Sequence, residues 1–244
     1  MKKALTCLLL LILTGCSGIP NTPDGFKSRD VQTEHFSVLT WESTQMRSGK
    51  TIRFYIEGNG NPTPAYPMAL KLAEKDPYIN VVAVSRPCQY AQNNICKNKE
   101  IWTRHQYSPE ILNEMQEVIV YYIQKYKAPD VEFVAYNGGA PIAFYLAEKI
   151  GRVHKIVTIA GILDIDAYAN HNNLPSFVNG QNPIQSVSKI SQIPQIHFVG
   201  VNDKQTTPAM AERFVSKLQN PRYAHVKLVS DMGHDDWDKI ELDY

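Results

Sequence analysis

Three residues of this 244-residue chain, Asn137, Asp203 and His234, stand in the order that acyl transfer requires, and the last two are also of the types it requires. Such a site needs a nucleophile, a base, a group that orients the base, and N–H donors for the developing oxyanion. His234, in Met232-Gly-His-Asp, is the candidate base, and Asp203, in Gly200-Val-Asn-Asp-Lys, the candidate orienting acid. Either alone reads more simply as a loop residue; it is their order, each just past an apolar run, that pairs them. Asp164, which follows the run before, is the second candidate acid. The nucleophile position falls in Ala135-Tyr-Asn-Gly-Gly139. The pattern G-x-S-x-G sets a hydroxyl on a sharp strand-to-helix corner; here Ala135 replaces the first Gly and Asn137 the Ser. A carboxamide is a very poor nucleophile, and loss of the hydroxyl costs on the order of 10⁶ in turnover in a hydrolase of this type, or about 8 kcal/mol of barrier. The oxyanion donors would be the backbone N–H of Gly138 and one from Glu57-Gly58-Asn59-Gly60, with Asn59 best placed. No metal or organic cofactor is called for.

The elements that must position these residues are readable in outline. Val131–Tyr136 is an almost continuously apolar, β-branched run, as a buried strand should be, and 140–150 reads as the following helix with Gly151 at its C-cap. Strands are expected at 35–41, 51–58, 80–85, 154–160, 195–201 and 224–229, the last three placing His154, His197 and His225 within strands. Helices are expected at 66–75, after Ser108-Pro109, and at 208–218; Ser and Pro are favoured first-turn residues. Ile111, Leu112, Met115, Val118, Ile119 and Tyr122 fall at helical spacing and mark a core face. Strands alternating with helices predict an α/β fold with a mostly parallel sheet wrapped on both faces. The segments 86–107 and 161–189 read as long loops covering the pocket, and their polar composition gives no hint of what enters.

The N-terminus reads as a targeting segment, 1–15. Lys2 and Lys3 precede an apolar run, 4–13, too short to span a bilayer. Leu13-Thr-Gly-Cys16 resembles the bacterial lipobox, which implies acylation of Cys16; Ser17 after it implies sorting to the outer membrane, facing the periplasm. Residues 16–30, rich in Pro, Gly, Asn and Ser, read as a flexible tether, leaving 31–244 as one domain. The formal net charge is +1, and removal of Lys2 and Lys3 leaves 23 basic against 24 acidic side chains, so nothing argues for nucleic acid as a partner. Once Cys7 leaves and Cys16 is lipidated, Cys88 and Cys96 remain, an even pair in an oxidising compartment. They predict a disulfide worth about 2–3 kcal/mol.

From about Ile52 onward the chain is similar to a family of bacterial lipoproteins of the α/β-hydrolase fold. The matching stretches are Tyr55-Ile-Glu-Gly-Asn-Gly60, Ser85-Arg-Pro-Cys-Gln-Tyr90 with Cys96 and Trp102, Arg104–Ser108, the corner at 137, Val157–Gly161 through Asp164, Ile193–Gly200 and Gly233-His234. The resemblance implies a serine hydrolase acting on esters or acyl groups, with an acid at 203 and His at 234, and this sequence departs from it at Asn137. Three readings follow: a binding or scaffolding lipoprotein, for an acyl-type ligand or an envelope partner, on an inactive hydrolase frame; a carboxylic-ester hydrolase whose native residue at 137 is Ser; or a carboxylate nucleophile formed by deamidation of Asn137-Gly138.

Overall fold

The computed structural model describes residues 20–59, 66–235, 237 and 240. The lipobox-like stretch with Cys16, the segment read from sequence as a targeting signal, and Gly60 of the candidate oxyanion turn lie outside them. An eight-stranded sheet runs through the molecule in the order β1 (Phe26–Gln32), β2 (Ser37–Ser43), β4 (Val81–Val84), β3 (Ile52–Ile56), β5 (Val131–Tyr136), β6 (Val153–Ile159), β7 (Gln195–Gly200), β8 (Ala224–Val229). β1 pairs antiparallel with β2, and β2 with β4; every other pairing is parallel. The helices are α1 (Met68–Glu74), α2 (Lys99–Trp102), α3 (Pro109–Tyr126), α4 (Gly139–Ile150), α5 (Ile165–His171), α6 (Val187–Ile190) and α7 (Pro208–Lys217).

The two-residue period of a strand sorts the core into two layers. Ile52, Phe54 and Ile56 of β3, with Val131, Phe133 and Ala135 of β5, pack on one face under α3, α4 and α7. Tyr55, Val134, Val157, Ile159 and Phe198 point to the other face, where α1 and Trp237 cover them. Helices thus close both faces, as the alternation of elements predicts.

One boundary needs correction. Phe26–Gln32 is a strand registered along the whole of β2, so ordered structure begins inside the stretch read as a tether ending at residue 30. Of its side chains only Val31 is fully buried. An edge strand with one face in water carries almost no apolar signal, and its composition passes for linker. The 161–189 segment also holds more structure than a loop, with α5, α6 and a short 3₁₀ turn at Pro183–Gln185. Cys88 and Cys96 are joined by a disulfide, with Cα atoms 5.3 Å apart.

Candidate active site

β5 ends at Tyr136 and α4 begins at Gly139, so Asn137 and Gly138 alone make the corner. Asn137 adopts a φ of +44°, a left-handed conformation that Gly accepts freely and that Asn tolerates better than most other residues. The surroundings hold it there. Its N–H donates to Ile159 O at 2.8 Å, and its C=O accepts from Ala140 N and Ile162 N, both at 3.1 Å. Strain at this corner is compensated by three backbone hydrogen bonds to two neighbouring segments.

The corner aims the Asn137 side chain at His234. Its Nδ2 lies 3.0 Å from His234 Nε2 and 3.3 Å from Ala160 O. Asp203 Oδ2 and Oδ1 stand 2.9 Å and 3.1 Å from the other ring nitrogen, Nδ1. Asp203, a carboxylate, can only accept, so Nδ1 carries the proton and Nε2 is left as an acceptor. An acceptor at Nε2 and the Ala160 carbonyl both demand donors, and the two N–H bonds of a carboxamide supply one to each.

Asp203 is 2% exposed. Burial pushes its carboxyl up, but hydrogen bonds from His234 and from the Thr206 hydroxyl and N–H outweigh this and hold it below the usual carboxylate range. Oδ1 accepts from Gln205 N (2.8 Å) and Thr206 N (2.9 Å), and Oδ2 from Thr206 Oγ1 (2.7 Å). The loops carrying acid and base are themselves packed together, since Asn202 N donates to Met232 O at 2.9 Å. Gly200 permits that approach: a Cβ there would overlap the carbonyl oxygens of Met232 and Gly233. Trp237, fully buried, donates from Nε1 to His234 O at 2.9 Å and anchors the end of the base loop.

The candidate oxyanion turn meets the corner directly. The Asn59 carboxamide lies over Gly138, where any Cβ would collide with it and with the Tyr107 hydroxyl. Asn59 Oδ1 accepts from Tyr107 OH at 2.6 Å and from Arg86 Nη1 at 2.8 Å. Gln89 ties the same turn from the other side, its Nε2 donating to Gly58 O at 3.1 Å and its Oε1 accepting from Arg86 N at 2.8 Å. Glu57 accepts from Gly58 N and from Ala69 N in the first turn of α1, and burial raises its carboxyl above the ordinary value.

The fold has counterparts among solved structures. An esterase of Pyrococcus furiosus is 14% identical with a TM-score of 0.61, over 86% of this chain and 82% of its own. Est1E from Butyrivibrio proteoclasticus is 11% identical with a TM-score of 0.62, over 85% of this chain and 90% of its own. The fold is that of the α/β-hydrolases. A puromycin-hydrolysing peptidase of Mycobacterium tuberculosis is also similar, at 12% identity and a TM-score of 0.62; 93% of this chain is covered, but only 38% of that one. At these identities the likeness extends to the fold alone. No family model and no curated protein matches the chain.

Within this α/β-hydrolase fold, sequence order brought Asn137, Asp203, His234, Asn59 and Gly138 to one place. It did not bring Asp164, whose carboxylate caps α5 by accepting from Ala167 N (3.2 Å) and binds Asn182 Nδ2 (2.9 Å). The second candidate acid is therefore structural. His197 is buried in β7, hydrogen-bonded to Thr158 Oγ1 at 2.8 Å. Thr206 and Trp237 were not singled out from sequence. Each lies three residues beyond the side chain it supports, a spacing that identifies them only once that side chain is known to matter.

Proposed function

We propose that this chain is a bacterial envelope lipoprotein, lipid-anchored at Cys16 and facing the periplasm, whose α/β-hydrolase frame binds an acyl- or ester-type ligand but is disarmed for hydrolysis. The observation that carries the reading is the Asn137 Nδ2 contact with His234 Nε2. The base and its orienting acid stand in working geometry, and the group facing them is one that His234 cannot activate. A hydroxyl at the same corner would give its proton to Nε2 while Asp203 holds Nδ1–H. The amide gives a hydrogen bond and goes no further. The envelope location is supported by the lipobox-like Leu13–Cys16 and agrees with a disulfide at Cys88–Cys96, which belongs in an oxidising compartment.

The test sets the unaltered protein beside its Asn137→Ser variant, each offered p-nitrophenyl acetate, butyrate and octanoate and a fluorophosphonate label. The unaltered chain is expected to stay at background and unlabelled, and the variant to turn over at least one ester and label at residue 137. Turnover and labelling of the unaltered chain would place the nucleophile elsewhere. An inert variant would leave a frame with no hydrolytic competence to recover, and the disarmed-hydrolase reading would fall.

A further inference from the structure

Beside the corner runs a groove of about 420 Å³, within the ~300–1,000 Å³ typical of small-ligand sites. Its apolar walls are Trp102, Leu174, Pro175 and Phe177, and its inner end is Asn59 and Gln106. Leu174 is 45% exposed and, with Trp102, Pro175 and Phe177 beside it, forms a continuous apolar wall rather than a lone exposed side chain. Phe177 is fixed edge-on against Tyr107, ring centroids 4.8 Å apart, so that wall is built into the site. At the mouth, Arg104 and Glu100 pair with each other at 3.2 Å and cancel locally.

The inner end is different. Arg86 is 5% exposed and stands directly behind Asn59 and Gln106. Its guanidinium donates to Asn59 Oδ1 at 2.8 Å and to the Gln106 carbonyl at 3.1 Å, both neutral acceptors. Among the described residues no carboxylate forms an ion pair with it. Glu57, whose carboxyl burial holds above its ordinary value, acts on Arg86 only through space and without a hydrogen bond. A buried cation whose direct partners are neutral is costly, and the cost falls when a further anion arrives nearby in a medium of low dielectric.

From these two features we infer that the groove holds a medium-length monocarboxylate, its hydrocarbon part against Trp102, Leu174 and Phe177 and its carboxylate at the Asn59–Gln106 end in the field of Arg86. The ligand is of the class an ester hydrolase would release as its acid product, here bound without being made. This deepens the proposed function and rests on its ligand-binding half. An alcohol of the same length offers the walls the same surface without the charge, and acetate offers the charge without the surface.

The test is titration of the unaltered full-length protein with sodium octanoate, octan-1-ol and sodium acetate, read by calorimetry and by tryptophan fluorescence. Octanoate is expected to bind at least about tenfold more tightly than octan-1-ol or acetate, a difference of about 1.4 kcal/mol or more. Leu174→Asp, at a half-exposed position that can change without unfolding the core, is expected to weaken octanoate binding about tenfold, since a second carboxylate and the loss of apolar wall act in the same direction. Equal affinity for octan-1-ol removes the role of Arg86. Unchanged octanoate affinity in Leu174→Asp removes the groove, and no binding at millimolar octanoate removes the inference whole. Because Asn137 is intact throughout, failure here is separable from failure of the Asn137→Ser ester assay.

Discussion

Asn137 Nδ2 stands 3.0 Å from His234 Nε2 and 3.3 Å from the Ala160 carbonyl oxygen, so one carboxamide nitrogen serves two acceptors. A carboxylate in the same place would set an oxygen against each of them. The corner is therefore built for a donor, and the idea of an aspartate nucleophile formed by deamidation conflicts with it. The three backbone hydrogen bonds of Asn137 further hold the chain away from ring closure by Gly138 N.

The first prediction follows. On prolonged incubation at mildly alkaline pH, the peptide containing Asn137-Gly138 should keep its mass. The pair Asn179-Gly180, in an exposed loop, is the internal comparison and should gain one dalton sooner. A faster gain at Asn137 than at Asn179 would show that the corner does not hold its amide.

Gly138 carries the second prediction. Any side chain there collides with the Asn59 carboxamide and the Tyr107 hydroxyl, which Arg86 holds in place. Gly138→Ala should displace the 57–59 turn and lower stability by about 1–3 kcal/mol, the range for overpacking a filled site. Introduced into Asn137→Ser, it should also reduce esterase turnover by ~10²–10³, as loss of an oxyanion donor does. Urea unfolding and single-turnover kinetics measure the two effects. Turnover unchanged in the double variant would remove the 57–59 turn from the oxyanion site.

The third prediction concerns pH. His197 is wholly buried between β-sheet and α4, beside Phe144 and Phe214, and burial pushes its imidazole down from 6.5 to about 3. The folded state keeps it neutral while the unfolded chain takes up a proton near pH ~6.5. Its contribution to stability is therefore complete above that pH and is lost as pH falls toward the folded value. The slope should approach about 1.4 kcal/mol per pH unit between ~6 and ~4. Asp203, whose carboxyl is held below its ordinary range, adds its own loss only at lower pH. The difference in urea stability between the parent and His197→Gln should thus shrink steadily over that window. A difference that stays constant with pH would mean His197 is not neutral and buried in solution.

The sequence made the candidate site legible because order and strand ends suffice to bring its members together. Asp203 and His234 follow β7 and β8, and parallel strands put such loops on one rim. Between Asp203 and Asp164 the chain order could not decide, since both follow strands; only the Ala167 and Asn182 contacts show Asp164 to be a helix cap. β1 escaped notice because an edge strand with a single buried residue has no alternation to read. The groove escaped for a related reason. Leu174, Pro175 and Phe177 are scattered in a polar segment, and they become a surface only when Tyr107 and Trp102 arrive from another.

The last prediction joins the disulfide to the site. Cys88–Cys96 closes a loop that contains Gln89 and starts two residues after Arg86; Gln89 holds Gly58 O and Arg86 holds Asn59 Oδ1. The same bridge fixes the Cys96 carbonyl, which accepts from Trp102 Nε1 at 3.2 Å and so sets one wall of the groove. Opening it should do more than the ~2–3 kcal/mol loss that closing a short loop accounts for. In Asn137→Ser carrying Cys88→Ser and Cys96→Ser, ester turnover should fall about tenfold or more at temperatures where circular dichroism shows the chain fully folded, and octanoate binding should weaken with it. A bridge that served global stability alone would lower the melting temperature and leave turnover per folded molecule unchanged. Loss of turnover without loss of fold would instead locate its effect in the Arg86–Asn59 contact. Arg86→Lys, which keeps the charge but not the forked donors to Asn59 and Gln106, should then reproduce the defect with the disulfide intact.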